Sequence, residues 1–267
     1  MDARMYGPAD WEHDVPRYGP VDRVAVISDV HANVPALEAV LAEIELADVD
    51  LVVSCGDLTW GAEPDRTVEL IAALGARAVC VRGNGDRAVL ELAQEQRPAS
   101  RPREVWMATQ HSATSVQFVA AFPFSAVVRI NGLGAVRFCH GSPRSDTELV
   151  TPETPQERFA ELASGIDEKV LVTGHTHLQF DRRVAGRRSV NPGSVGLPFH
   201  DASPGTAYWA LLSEDVELRR TSYELSGSLD AGTRLGDPAA ETITGLLTTP
   251  PSPREIIDDA ESRVFAD

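Results

Sequence analysis

Residues 24–31 read VAVISDVH, and the reading of this stretch decides the fold. Residues 24–28 form an unbroken apolar run without alternation, the pattern of a strand covered on both faces. The run stops at Asp29-Val30-His31, and Leu37, Val40, Leu41 and Ile44 then follow at helical spacing. Apolar strand, polar turn, helix is the repeating unit of a parallel sheet. The unit recurs twice. Residues 51–54 (LVVS) run into Gly56-Asp57 and a helix over 64–74; residues 78–81 (AVCV) run into Gly83-Asn84-Gly85-Asp86 and a helix over 87–94.

Downstream the pattern changes. Residues 97–103 (RPASRPR) read as a loop, and 109–121 and 152–164 as helices. Residues 125–130 and 135–139 flank a turn at 131–134, and further hairpins turn at Ala185-Gly186 and at 213–215. Residues 170–173 form another buried strand. The second half has too few helices to cover a parallel sheet, so the sequence predicts two mixed β-sheets packed face to face with helices outside.

The chain has 267 residues, 40 acidic and 24 basic side chains and a formal charge of -16. Such a balance disfavours a long nucleic acid, which needs a basic face, and docking on an anionic membrane. The excess is uneven: residues 1–22 carry five acids against two arginines, and 225–267 eight against three. The reading is a peripheral N-terminal extension (1–22), one domain (23–224) and an acidic C-terminal extension (225–267) whose short helices pack on or near it. Residues 225–236, rich in Gly, Ser and Asp, read as part of the periphery, and Ser252-Pro253 as a helix start. The three cysteines, Cys55, Cys80 and Cys139, sit in apolar runs without a CxxC, as reduced core thiols of a cytoplasmic protein would. The polar N-terminus has no h-region, and no apolar run is long enough to span a bilayer.

Each apolar strand ends in a polar cluster, and strand ends are where an open α/β sheet places its site. The clusters are Asp29-Val30-His31, Gly56-Asp57, Gly83-Asn84-Gly85-Asp86, His140-Gly141 and Gly174-His175-Thr176-His177. Each alone is an ordinary turn or loop. Together, at five successive strand exits, they are a metal-ligand set.

In this order they resemble the signature of the calcineurin-like metallophosphoesterases: DxH, GD, GNxD, a lone His, then GHxH. The resemblance covers residues 23–224 and is nearest to a bacterial phosphodiesterase-like branch whose GHxH strand leads into a hairpin and an NPGS turn, here Asn191-Pro192-Gly193-Ser194. It implies a four-layer αββα sandwich. It implies that Asp29, His31 and His177 hold one metal, Asn84, His140 and His175 the other, and that Asp57 bridges both. Mixed nitrogen and oxygen ligation without thiolate suits Mn, Fe, Zn, Ni or Co, and the resemblance leans toward Mn. Two divalent ions about 3.5–4 Å apart lower the pKa of bound water to about 7. A metal-bridging hydroxide would then attack phosphorus in line, and the substrate would be a small phosphate ester.

This sequence departs from the family at Gly85, where a His or Cys is usual and is thought to protonate the leaving group or touch the phosphate. General acid catalysis is worth about 10²–10⁴-fold, so the expectation is a substrate with a good leaving group or a substitute acid, with His111 and His200 as candidates. Ala32 replaces a usual glycine. Arg144 and Arg82 are candidate phosphate contacts. Protein Ser/Thr phosphatases fit poorly, because Asp57 leads into Leu58-Thr59-Trp60-Gly61 and GNHE is absent. The alternatives are a nucleotide pyrophosphohydrolase and a non-catalytic metal-binding scaffold on the same fold.

Overall fold

The computed structural model describes residue 7 and residues 15–263. Eleven strands form two sheets among these residues. The first has the order β1(Arg17–Val21), β5(Ser125–Ile130), β6(Gly134–Cys139), β7(Val170–Val172), β9(Arg187–Pro192), β8(Gln179–Val184). The second has the order β11(Val216–Ser222), β10(Thr206–Leu212), β2(Val24–Ile27), β3(Leu51–Ser54), β4(Ala78–Cys80). β2, β3 and β4 are parallel, as are β6, β7 and β9 and the pair β1 and β5, while the hairpins β5–β6, β8–β9 and β10–β11 and the pair β10–β2 are antiparallel.

The all-apolar strands face two different cores. Val24 and Val26 of β2 meet Val128, Val136, Phe138 and Val172 of the facing sheet. Ala25 and Ile27, pointing the other way, meet Leu37, Val40 and Ile44 of α1(Val34–Leu46) and Ile71 of α2(Pro64–Ala72). All four β2 residues are fully buried, and each large apolar side chain so placed contributes about 1.5–3 kcal/mol. A third cluster lies outside the first sheet, where Leu171 and Phe180 pack on Phe159 and Leu162 of α6(Gln156–Leu162). Helices, sheet, sheet, helices: this is the expected αββα sandwich.

Several local expectations change. Arg17–Val21, read as part of an extension, is the edge strand β1, parallel to β5 with Arg17 opposite Val127. The helix after β4 starts earlier, as α3(Asn84–Ala93). The helix expected over 109–121 is two, α4(Pro102–Gln110) and α5(Ala113–Ala120), divided where the Ser112 hydroxyl accepts from the Ser115 amide. α6 begins at Gln156 rather than 152, after Pro155. The C-terminal extension forms the expected short helices, α7(Ser226–Leu235), α8(Ala240–Thr248) and α9(Pro253–Ser262), the first of them within the Gly- and Ser-rich stretch for which no helix is placed from sequence. The first and last of these are tied to the sandwich. Ser228 Oγ donates to Asn33 Oδ1 at 2.6 Å, and the Thr151 and Thr154 hydroxyls donate to Glu261 at 2.6 and 2.7 Å. The acidic N-terminal stretch before Val15 lies outside the described residues apart from Gly7. Among the described residues, no helix is long and apolar enough to cross a membrane.

Candidate metal centre

The exits of β2, β3, β4, β6 and β7 meet at one edge of the sandwich, and they bring the seven sequence-selected residues together. Two groups form there. In the first, His177 Nε2 lies 3.2 Å from Asp29 Oδ1 and 3.1 Å from His31 Nε2. In the second, His140 Nε2 lies 3.1 Å from His175 Nδ1, 2.9 Å from Asn84 Oδ1 and 3.5 Å from Asp57 Oδ1. Asp57 stands between them, its other oxygen 3.9 Å from His31 Nε2. Asp29-His31-His177 and Asp57-His140-His175 each have the ligand-atom spacing to hold one metal ion.

Backbone carbonyls set the tautomers. His31 Nδ1 pairs with Trp60 O at 3.1 Å, His140 Nδ1 with Cys55 O at 2.8 Å and His177 Nδ1 with Leu197 O at 2.5 Å. A carbonyl can only accept, so each Nδ1 carries the proton and each Nε2 turns a lone pair inward. In their neutral forms His31 and His177 therefore face each other through two acceptors. Asp29 Oδ1 is buried with no hydrogen-bond partner, whereas Oδ2 accepts from Ser28 Oγ and the His175 amide. Converging acceptors with an orphaned carboxylate oxygen fit a cation at each group.

Charge follows the same logic. Burial pushes the His31 and His175 imidazoles down to about 3, helped by the neighbouring His177 and His140 respectively, and so keeps them neutral. Burial also opposes charge on His177 and His140, but nearby Asp29 and Asp57 outweigh it and raise both. Burial would raise Asp29; His177 more than offsets that and holds it low.

The loops are strained into place. Asp29, His31, Asp57, His175 and His177 all have φ between 50° and 67°, the left-handed region that non-glycine residues seldom occupy. Ala32, at a usual glycine position, sits at φ 50° as well. The surroundings hold these turns. Asp86 Oδ1 accepts from the Leu58 and Thr59 amides at 3.1 and 3.2 Å, and its Oδ2 from the Gly83 amide at 3.1 Å, so it fixes the loop carrying Asp57. Burial, with Asp57 nearby, pushes Asp86 up to about 6. Asn191 Nδ2 donates to Gly174 O at 2.7 Å and Ser194 Oγ to Asp29 O at 2.7 Å, so the NPGS turn joins the first and last ligand loops. The turn was legible in sequence, but not this role.

Gly85 is filled from outside. Its amide donates to Asp57 Oδ1 at 2.7 Å. A Cβ at this position would lie 2.9 Å from that oxygen and 3.0 Å from Trp60 Cβ. Trp60 thus crowds the place where the family carries its usual side chain.

The other sequence candidates turn elsewhere. Arg144 is paired with fully buried Glu148 through Nε at 2.9 Å and Nη2 at 2.7 Å. Arg82 Nη2 donates to Ala120 O at 2.9 Å. His200 packs on Tyr208 and accepts from the Ala202 amide at 2.9 Å; its neighbour Phe199 is the residue stacked on His177. His111 Nδ1 pairs with Met107 O at 3.0 Å. The hydrogen bonds given above tie these four to residues other than the seven clustered ones. Cys55, Cys80 and Cys139 are free thiols, the first and last buried; Cys139 points away from His140 into the cluster against α6.

Comparison with known proteins agrees with this geometry. The sequence profile of the calcineurin-like phosphoesterase superfamily domain matches residues 23–214. A probable metallophosphoesterase of Methanothermobacter thermautotrophicus is 30% identical over 212 residues, covering 78% of this chain and 97% of its own. The crystal structure of a metallophosphoesterase from Sphaerobacter thermophilus superposes with a TM-score of 0.66 at 26% identity, covering 84% of this chain and 98% of that one. A hypothetical protein of Pyrococcus horikoshii OT3 shares the fold with a TM-score of 0.67 at 19% identity, over 86% and 99% of the two chains. The chain belongs to the calcineurin-like phosphoesterase superfamily.

Proposed function

We propose that this chain is a two-metal phosphodiesterase acting on a small phosphate ester, with Asp29, His31 and His177 holding one divalent ion, Asn84, His140 and His175 the other, and Asp57 shared. The observation that carries the reading is the pair of facing lone pairs, His31 Nε2 and His177 Nε2 at 3.1 Å, beside the orphaned Asp29 oxygen. When bound, the ions supply a water acidic enough to attack at neutral pH and positive charge for the phosphoryl oxygens. The donor set suits Mn, Fe, Zn, Ni or Co, and Mn is the proposed occupant.

The residues then do three things. Asp57, placed between the groups and fixed by the Gly85 amide, sets their separation. The carbonyls of Cys55, Trp60 and Leu197 keep three imidazoles in the ligating tautomer. Asp29 and Asp57 are the only carboxylates in the two groups, so two divalent ions leave a modest positive surplus that matches a singly charged diester. Arg82 and Arg144 are committed to Ala120 and Glu148, so neither is set to clamp the second charge of a monoester dianion.

The described histidines outside the cluster, His111 and His200, pair with Met107 O and the Ala202 amide rather than with the clustered residues. The reading therefore favours esters whose alcohol departs readily as an anion. The test is hydrolysis of paired diesters by the Mn-loaded protein, with metal content measured alongside. A p-nitrophenyl diester should be cleaved at least about 10²-fold faster than an alkyl diester of equal size. Fewer than about one ion per chain with no hydrolysis would overturn the enzyme reading in favour of a scaffold. A preference for nucleotide polyphosphates would favour a pyrophosphohydrolase.

A further inference from the structure

Two short stretches of main chain hold the histidines of the first metal group. Trp60 O pairs with His31 Nδ1, and Leu197 O with His177 Nδ1 at 2.5 Å. Residues 196–199 do more than this. The Gly196 amide donates to Asp29 O at 3.0 Å and the Phe199 amide to His177 O at 3.3 Å. The Phe199 ring stacks on the His177 imidazole, with centroids 4.8 Å apart and planes 17° from parallel. This loop therefore grips two of the three residues of the first group. The second group is held elsewhere, His140 by Cys55 O and Asp57 by the Gly85 amide.

Both stretches are backed by the C-terminal helices, which lie beyond the matched family domain. Asn33 is the link to α7: its Nδ2 donates to Gly196 O at 3.0 Å, and its Oδ1 accepts from Ser228 Oγ at 2.6 Å. Trp60 and Leu197 share one narrow gap with Ala231 of α7, Leu247 of α8 and Asp237 between those helices. On the far side, Phe199 packs on the apolar cluster to which Ile257 of α9 belongs. The tail is itself anchored to α4. Arg103 Nε lies 3.2 Å from both oxygens of Asp237 and its Nη2 3.0 Å from Oδ2, and Trp106 Nε1 donates to Leu235 O at 3.0 Å.

We propose that the C-terminal helices clamp the first metal group. By holding residues 196–199 through Ser228, Asn33 and Phe199, they set the affinity of the ion at Asp29, His31 and His177 and leave the other ion alone. Ser228 and Asn33 are then positioning residues, and the proposal rests on the two-metal reading above. A partner that fixes a ligating imidazole is worth about 10–100-fold in metal affinity. Undocking of the tail frees Leu197 O and the Phe199 ring together, so His177 loses its fixed tautomer and its packed face at once. Linkage is reciprocal, so an ion that binds better with the tail docked must hold the tail down by the same factor.

The test is Mn²⁺ titration of the full chain, read by calorimetry and by the paramagnetic resonance of free Mn²⁺, with hydrogen exchange of α7 measured alongside. The wild type should take up two ions, and His177→Ala identifies the first-group ion by its loss. Ser228→Ala should weaken that ion by about three- to tenfold, the worth of one hydrogen bond, and move the other by less than about twofold. Ser228→Thr, which keeps the hydroxyl, should restore wild-type affinity. In the wild type, Mn²⁺ should slow amide exchange in α7 by at least about threefold, an effect absent from His177→Ala. That measurement serves alone if Ser228→Ala does not fold. Equal first-ion affinity in wild type and folded Ser228→Ala, equal weakening of both ions, or α7 exchange indifferent to Mn²⁺ would overturn the clamp. A wild type that takes up no Mn²⁺, or that loses none in His177→Ala, would instead overturn the metal reading beneath it.

Discussion

His31 and His177 face each other across 3.1 Å through bare Nε2 atoms, because each commits its Nδ1 proton to a backbone carbonyl. Two acceptors in that position repel unless a proton or a metal ion lies between them, and a divalent ion also satisfies Asp29 beside them. Metal should therefore bind the folded state far better than the unfolded one. At about a hundredfold excess over Kd, Mn²⁺ should stabilise the chain by about 2.7 kcal/mol, a rise in Tm on the order of 5–10 °C. His177→Ala should lose most of that rise, read by thermal denaturation with and without metal. A rise equal to wild type would remove His177 from the ligand set.

Gly85→Ala should damage both fold and activity, although alanine normally favours a helix over glycine. The added carbon would sit 2.9 Å from Asp57 Oδ1 and 3.0 Å from Trp60 Cβ. Overpacking of this kind costs about 1–3 kcal/mol, and displacement of Asp57 should lower kcat/KM by about 10²-fold. The double variant with Trp60→Gly should recover part of the urea midpoint, since one of the two obstructions is gone.

Asp86→Asn should weaken the Asp57 loop without touching a metal. The carboxylate accepts from Leu58, Thr59 and Gly83 amides. An asparagine can accept on one side only and would turn its amide donors toward another donor. The cost is about 1–3 kcal/mol, visible in denaturant unfolding, with kcat falling more than KM rises because Asp57 is less firmly held.

Arg144→Ala tests the displaced phosphate contact. Arg144 holds buried Glu148, which keeps a 3.0 Å bond from Arg158 when it is gone. Stability should fall by about 1–3 kcal/mol, and KM for a diester should stay within about twofold of wild type. A tenfold rise in KM would return Arg144 to the substrate site.

Glu104 offers a pH signature away from the metals. Burial raises its pKa, but Arg97 and Ser100 outweigh this and hold it at about 2. The folded value is lowered, so its contribution is full above the ordinary glutamate pKa of about 4.5 and disappears as pH falls toward 2. Glu104→Gln should be less stable than wild type by on the order of 1 kcal/mol at neutral pH. The gap should close between pH 4.5 and 2 in urea titrations.

The parallel strands were legible because burial on both faces leaves an uninterrupted apolar run, as in VAVI at 24–27. The clustered polar residues were legible because each group follows such a run. β1 was not, since RYGPV carries turn residues and its strand character comes from pairing with β5, more than a hundred residues away. α7 was hidden for a similar reason: its Gly- and Ser-rich sequence is helical where Ala231 is buried and Ser228 is bonded to Asn33. Trp60, Arg103 and Asp237 come from three distant segments and form no motif, so no spacing could have joined them. The Ser112 cap dividing α4 from α5 was readable, but the apolar residues on either side of it run on in helical phase.

Asn33 caps α1 and also holds α7 through Ser228, so the tail rests against the loop that carries His31. The clustered side chains lie between residues 29 and 177 and the matched family domain ends at 214, whereas α7 and α8 lie beyond it. Substitutions in the tail can therefore reach the loop beside His31 while the clustered side chains themselves stay unchanged.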